Sequence, residues 1–247
     1  MKYRPDNKFI ERVQRDAGRA INRYSLIEDG DRIAVGLSGG KDSLALLEIL
    51  AKRRRKVPIN YELFAIHVDI ENIDYVTDTD FLESFCRELE VEFHLVKSTV
   101  DLERGKDKSK CFICSWQRRK ELFNFLRRQN CSKLALGHHR DDVNETLMMN
   151  LIFNGAFSAM SPRLSMFDGE VETIRPLILI GEDSIKRYAE IREYPEEVKR
   201  CPYGDDTKRN AVKDLIDQME KLDKNARYNI FSSMSHIHEE YLTKKIK

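Results

Sequence analysis

No run of about 18 consecutive apolar residues occurs in this 247-residue sequence, which excludes a membrane-spanning helix. The opening residues, Met1-Lys2-Tyr3-Arg4-Pro5-Asp6, lack the apolar core of a signal peptide, so a cytoplasmic location is expected. Charge of one sign is also lacking. The 43 basic and 42 acidic side chains leave a formal net charge of +1, so any RNA-binding surface has to be built from local basic clusters. Cysteines are few and odd in number, five in all, at 86, 111, 114, 131 and 201. In a cytosolic-looking chain that argues against a disulfide framework and makes metal ligation the better use of the thiols. There is no internal repeat and no low-complexity tract. What is present, 41 % hydrophobic and 34 % charged residues, suits a globular core of one α/β domain with extensions, or at most two small domains.

Apolar spacing at Phe9, Val13, Ala17, Ala20, Ile21 and Tyr24 predicts a helix over 6–24, packed on the main domain by one face. From residue 31 strands and helices alternate. Strands are predicted over 32–37, 63–69, 91–97 and 133–136, with a fifth over 172–176; helices are predicted over 43–51, 78–89, 112–128, 143–153 and 183–192. Such alternation implies an α/β fold, a parallel twisted sheet with helices on both faces, whose ligands sit at the carboxyl ends of the strands. Two further helices are predicted over 207–222 and 225–240. The expected organisation is an N-terminal helical extension over 1–25, an α/β domain over 26–200, and a C-terminal helical segment over 201–247 packed on that domain.

Gly36-Leu37-Ser38-Gly39-Gly40-Lys41-Asp42-Ser43 follows the first strand and opens a helix. Glycines let the backbone approach an anion, and the helix start supplies free N–H groups and the positive end of a dipole. Ser38, Ser43 and Lys41 add hydroxyl donors and a positive charge. The loop departs from GxxxxGK[ST], because Lys41 comes one residue early and Asp42 stands where the metal-binding hydroxyl belongs. It resembles instead the SGGxDS loop of the PP-loop ATP pyrophosphatases, a likeness that implies an adenine nucleotide alpha hydrolase-like fold and cleavage of ATP between its α and β phosphates. An acidic side chain beside phosphate makes sense if Asp42 holds Mg²⁺. Asp69, at the end of the second strand, is placed either to reach the ribose or adenine side of a nucleotide or to stand as a solvated carboxylate.

A second loop, Gly137-His138-His139-Arg140-Asp141-Asp142, also joins a strand to a helix and should stand beside the first at the same sheet edge. One of Asp141 and Asp142 can cap the helix; the two together suggest Mg²⁺ or amino-group contacts. His138 and His139 could touch phosphate or be structural. The order SGGKDS, CxxC, GHHxDDxxxTLxxN and Ile174-Arg175-Pro176-Leu177 resembles the tRNA 2-thiocytidine biosynthesis family over roughly residues 30–240. The zinc ribbons of the related thiouridine synthetases have no counterpart.

That resemblance implies an ATP-dependent tRNA sulfurtransferase, a sulfur donor (a cysteine desulfurase or sulfide), no membrane association, and a homodimer. Ser38, Gly39, Gly40, Lys41, Asp42, Ser43, Asp69, Gly137, His138, Asp141 and Asp142 would bind the nucleotide, with Lys41, Asp42, Arg118 and Asp142 serving catalysis. Cys111-Phe112-Ile113-Cys114 sits in a polar loop opening a helix, and two thiols so spaced can serve one metal centre. The family likeness adds Cys201 as a third ligand of a [4Fe-4S] cluster. On the residues alone zinc, with His94, His236 or His238 as a further ligand, competes equally, and a persulfide-carrying pair is another reading. Cys86 and Cys131 are read as core residues. Arg118, one helical turn after Cys114, is aimed at nucleotide or tRNA phosphate, or is a solvated charge. Basic residues at 52–56, 104–110, 118–120 and 199–200 are candidates for the RNA backbone, the first run equally for the helix dipole. Phe112, Trp116 and Tyr203 could stack on an extruded base, although core packing is the commoner fate of such aromatics. The rival functions are a 2-thiouridine or lysidine synthetase and a non-catalytic nucleotide- or RNA-binding module with structural zinc.

Overall fold

The computed structural model describes residues 5–74, 77–103, 109–196 and 207–243. The first helix, α1 (Pro5–Arg23), buries Phe9, Val13, Ala17, Ala20 and Ile21, the face expected from its periodicity. The alternating region follows as β1 (Asp31–Gly36), α2 (Lys41–Arg54), β2 (Tyr61–Ile70), α3 (Thr79–Glu88), β3 (Glu92–Ser98), α4 (Lys110–Arg128), β4 (Lys133–Ala135) and α5 (Arg140–Asn154). Then come β5 (Arg163–Met166), β6 (Val171–Ile174), α6 (Glu182–Ile191), α7 (Thr207–Leu222) and α8 (Ala226–Ser233). By contacts the chain divides into two units, Met1–His139 with Ser161–Asp205, and Arg140–Met160 with Asp206–Lys247.

The first unit holds the sheet, in the order β3-β2-β1-β4-β6-β5. All pairings are parallel except the last, β5 with β6. Side chains alternate across it. Ile33, Val35, Leu63 and Ala65 join a cluster with residues of α1, α2, α3 and α6, such as Val13, Leu46, Leu82 and Ile185. Ala34, Phe64 and Ile66 join a second cluster with Phe123, Phe125 and Leu126 of α4. Cys86 and Cys131 are buried in these two clusters, as expected, and burial pushes their thiols up to about 12 and about 11.

Strand β5 was not foreseen. It is four residues long and lies at the sheet edge, so it needs little of the apolar alternation that marks an inner strand. Its one sequence signal is Asp168-Gly169 in the turn to β6, where Phe167, Asp168 and Gly169 all take positive φ. The expected helix over 225–240 is shorter. It ends at Ser233, where the Ser233 hydroxyl and the His236 ring bond carbonyls of their own chain, and a short 3-10 turn follows at Glu239–Tyr241.

The second unit packs α5, α7 and α8, burying Val143, Leu147, Val212 and Ile216. Arg227 on α8 donates to Asp141 (2.8 Å) and Glu220 (2.8 Å), and pairs with Asp217. Arg209 on α7 holds Asp142 (2.7 Å) and Glu145 (2.6 Å).

In the first unit α2 carries a charge in its buried middle. Glu48 is 0 % exposed and accepts from Lys52, Tyr194 and Arg192 (Nη2, 2.8 Å). Burial pushes its carboxyl up, but the hydrogen bonds from Lys52, Tyr194 and Arg192 outweigh this and hold it below the usual carboxylate range. Removing the charge strands its cations. Because Lys52 and Arg192 are partly exposed, the lower end of the range for breaking a buried pair applies: Glu48→Gln should cost about 3 kcal/mol of unfolding free energy, measured by denaturant titration.

Candidate active site

The chain builds β1, β2 and β3 outward in one direction, then crosses to place β4 on the other side of β1. That reversal leaves a crevice at the carboxyl ends of β1 and β4, where a doubly wound sheet takes its ligand. The two loops singled out in the sequence, 37–40 and 136–139, leave those two strand ends.

They meet backbone to backbone. A Cβ on Gly137 would fall 2.9 Å from the Asp42 carbonyl carbon and 3.0 Å from the Ser43 nitrogen, so only glycine fits. Gly39 has φ +90, and a Cβ there would lie 2.8 Å from Thr77 Cγ2. Gly40 caps α2 in extended conformation with no side-chain hydrogen bond, leaving the Lys41 and Asp42 amides without an intrahelical acceptor. The loop is closed by its own serines: Ser38 N–H donates to Ser43 Oγ (3.1 Å), Gly40 N–H to Ser38 Oγ (3.3 Å), and Ser43 Oγ–H to the Gly40 carbonyl (2.9 Å). The outcome is a preformed turn whose donors and helix dipole suit phosphate.

Charge is balanced around it. Lys41 Nζ lies 3.1 Å from Asp42 Oδ2 and 3.7 Å from Glu182 Oε1 of α6, a partner the sequence pattern did not reveal. Asp42 Oδ1 is buried with no hydrogen bond from the described residues, and His139 Nε2 stands 3.8 Å away. An orphaned buried carboxylate oxygen beside a phosphate-type loop fits a bound cation such as Mg²⁺. His138 Nδ1 accepts from Arg175 Nε at 3.3 Å, which gives the Arg175 of the IRPL motif a place beside the second loop. Asp141 and Asp142 lie in the first turn of α5, in the second unit, and meet the arginines of α7 and α8 described above.

Two cavities adjoin the loop. One of about 150 Å³ is lined by Gly36, Leu37, Ser38, Val68, Arg118 and Leu122 among others. The second, about 730 Å³, is lined by Asp69, Asn72, Thr77, Leu95 and Lys97 among others. His67 lines both. As a lone histidine in an apolar strand, it carries no signal in the sequence.

The cysteine pair is on helix, not loop: Ser109 caps α4 by accepting from the Phe112 N–H at 3.2 Å, and the helix runs from Lys110. Cys111 and Cys114 therefore share the first turn, both half-buried, and Cys114, Arg118 and Leu122 follow one another at four-residue spacing along the helix. Two thiols on one turn at a helix start suit a metal centre; among the described residues no three His, Cys, Asp or Glu side chains are grouped to hold a metal ion. The third expected ligand, Cys201, lies outside the described residues, as do Tyr203, Lys199, Arg200 and most of the 104–110 run. His94 is a packing residue, its ring 4.8 Å from that of Phe125 and 6.2 Å from that of Phe64. Phe112 and Trp116 depart from the expected core packing, being 51 % and 49 % exposed on α4. Four residues of the 52–56 run are taken up structurally: Lys52 by Glu48, Arg53 by Asn22 (3.0 Å), Arg54 by the Glu90 carbonyl (2.6 Å) and Arg55 by the Glu90 side chain (2.9 Å).

Comparison with known proteins agrees with this geometry. Residues 10–216 match the PP-loop domain family ATP_bind_3. A tRNA-cytidine(32) 2-sulfurtransferase of Shewanella sp. (strain W3-18-1) is 37 % identical over 233 residues, covering 92 % of this chain and 74 % of its relative. One from Shewanella baltica (strain OS195) is 38 % identical with the same coverage. Among solved structures, the U34-tRNA thiolase NcsA from Methanococcus maripaludis with its [4Fe-4S] cluster superposes with a TM-score of 0.78 at 29 % identity, over 98 % of this chain and 82 % of that one.

The contact between the two loops is directly testable. Gly137→Ala should force the start of α2 to shift and lower stability by about 1–3 kcal/mol, read as a fall in melting temperature.

Proposed function

The chain belongs to the PP-loop domain family, and from that premise we propose that it is an ATP-dependent tRNA-cytidine 2-sulfurtransferase. The observation that carries the proposal is the closed turn at residues 38–43, with uncapped amides at the head of α2 and an orphaned carboxylate oxygen on Asp42. Ser38, Gly39, Gly40, Lys41 and Ser43 hold the phosphates, and the adenosine end lies toward the small cavity lined by Leu37, Val68 and Arg118. Gly137 and His138 border the nucleotide, and Asp69 faces the adjoining larger cavity. Asp42 would hold Mg²⁺, whose contribution when bound is to neutralise charge on the phosphate oxygens.

In the first step the oxygen on carbon two of the base attacks the α phosphorus, a P–O bond forms, and pyrophosphate leaves. Lys41 and the α2 amides stabilise the charge that builds on the phosphates. Sulfide then adds at carbon two, and the C–O bond breaks with release of AMP. Cys111 and Cys114, with Cys201, would hold the iron–sulfur cluster, which when bound supplies an iron without a protein ligand for the incoming sulfur. Arg118, one turn along α4 from Cys114, lines the small cavity with Ser38 and links the thiol end of the helix to the nucleotide end. Phe112 and Trp116, exposed on that helix, offer faces on which an extruded base can stack. The sulfur comes from sulfide or a cysteine desulfurase, and the proposed target is cytidine 32, as in the relatives' names.

Mass spectrometry of tRNA nucleosides from cells lacking the gene tests the proposal: 2-thiocytidine should vanish and return with the intact gene but not with Cys111→Ala. Loss of 2-thiouridine with 2-thiocytidine intact would assign the chain to the reaction of its structural neighbour. In vitro, Asp42→Asn should slow pyrophosphate release by about 10²-fold or more. Formation of ADP in place of AMP would overturn the reading.

A further inference from the structure

His67 sits on β2 with 4 % of its surface exposed, and its Nδ1 lies 2.7 Å from the carbonyl oxygen of Leu37. A carbonyl only accepts, so Nδ1 carries the hydrogen and donates. Leu37 is the last residue before the phosphate loop, and its own N–H donates to the Ile66 carbonyl at 2.8 Å. The next amide, Ser38 N–H, donates to Ser43 Oγ at 3.1 Å. The peptide unit joining Leu37 to Ser38 is planar, with its C=O and N–H on opposite edges. One edge is therefore gripped by His67 from β2 and the other by Ser43 from α2.

We infer that His67 is a positioning residue of the nucleotide site, fixing the Leu37–Ser38 peptide plane so that the Leu37 oxygen faces β2 and the loop is set to receive phosphate. Without a donor at this position the buried oxygen has no side-chain partner, and the plane is held by its Ser43 edge alone and can tilt. A turned plane directs a partial negative charge toward the place the phosphates occupy. The cavities fit this role, because His67 lies in the wall of both and is the side chain of β2 bonded to the loop. Burial holds its imidazole below the ordinary range, the Leu37 bond works the other way, and the Arg118 charge adds to the depression, so the ring is neutral and brings no charge of its own to the site.

The inference rests on the loop being a phosphate site, and binding measurements on the full chain separate the two. ATP and adenosine affinities are compared in wild type, H67L, H67N and H67Q, with circular dichroism and melting to verify folding. Leucine fills the space without a donor. Asparagine places an amide N–H near the position of Nδ1, whereas glutamine carries its amide further out, near Nε2. H67L should bind ATP at least tenfold more weakly, a loss several times larger than its loss for adenosine, which has no phosphate; H67N should stay within about threefold of wild type for both. If H67L does not fold, the ordering of H67N above H67Q for ATP carries the test. Undiminished ATP binding by folded H67L, an equal loss for adenosine, or H67N no better than H67Q would each overturn the inference. Wild-type protein that binds no ATP would sink the proposed function, and this inference with it.

Discussion

Everything at the site depends on two turns of main chain touching where the sheet reverses its order of construction. Gly137 rests on the Asp42–Ser43 backbone with no room for a methyl group, so the loops after β1 and β4 behave as one body. Tight contact of this sort transmits position, because packed backbone has nowhere to relax. The head of α2, with its free amides, is thereby fixed against β1, β2 and the second loop together. Serine hydroxyls and the imidazole on β2 then set the details inside that frame.

Electrostatics at the loop follow a simple balance. A phosphate-type turn attracts anions, yet it carries Asp42, and Glu182 stands within reach of Lys41. The acidic groups only make sense with positive charge near them: Lys41 supplies one, and a divalent ion would satisfy the orphaned oxygen of Asp42. The second unit is tied together by the same logic, with Arg209 and Arg227 meeting the carboxylates at the start of α5.

Most of the first unit was legible in the sequence because its inner strands are short apolar runs between helices. The SGGKDS turn was legible because it is contiguous and because glycine appears where the backbone needs it, as φ +90 at Gly39 and the crowding at Gly137 show. Strand β5 was not, since an edge strand with one neighbour needs no continuous apolar run. His67 and Glu182 were missed for another reason: both act by tertiary contact, 30 residues from Leu37 in one case and 141 from Lys41 in the other, and neither sits in a local pattern. Phe112 and Trp116 were read toward the core because aromatics usually go there, and the α4 face they occupy is instead open. Cys111 and Cys114 were placed in a polar loop opening the helix, whereas the Ser109 cap had already started it.

That last feature makes the reach from thiol to nucleotide a matter of counting. An α-helix advances about 1.5 Å and turns about 100° per residue, so Cys114 stands about 6 Å along the axis from Arg118. Adding or deleting a single residue between them would change the distance little but swing the sulfurs a quarter-turn or more around the rod. The separation is thus quantised: whole turns preserve the alignment, and nothing in between does. A rigid spacer of this kind holds the two thiols at one bearing relative to Arg118.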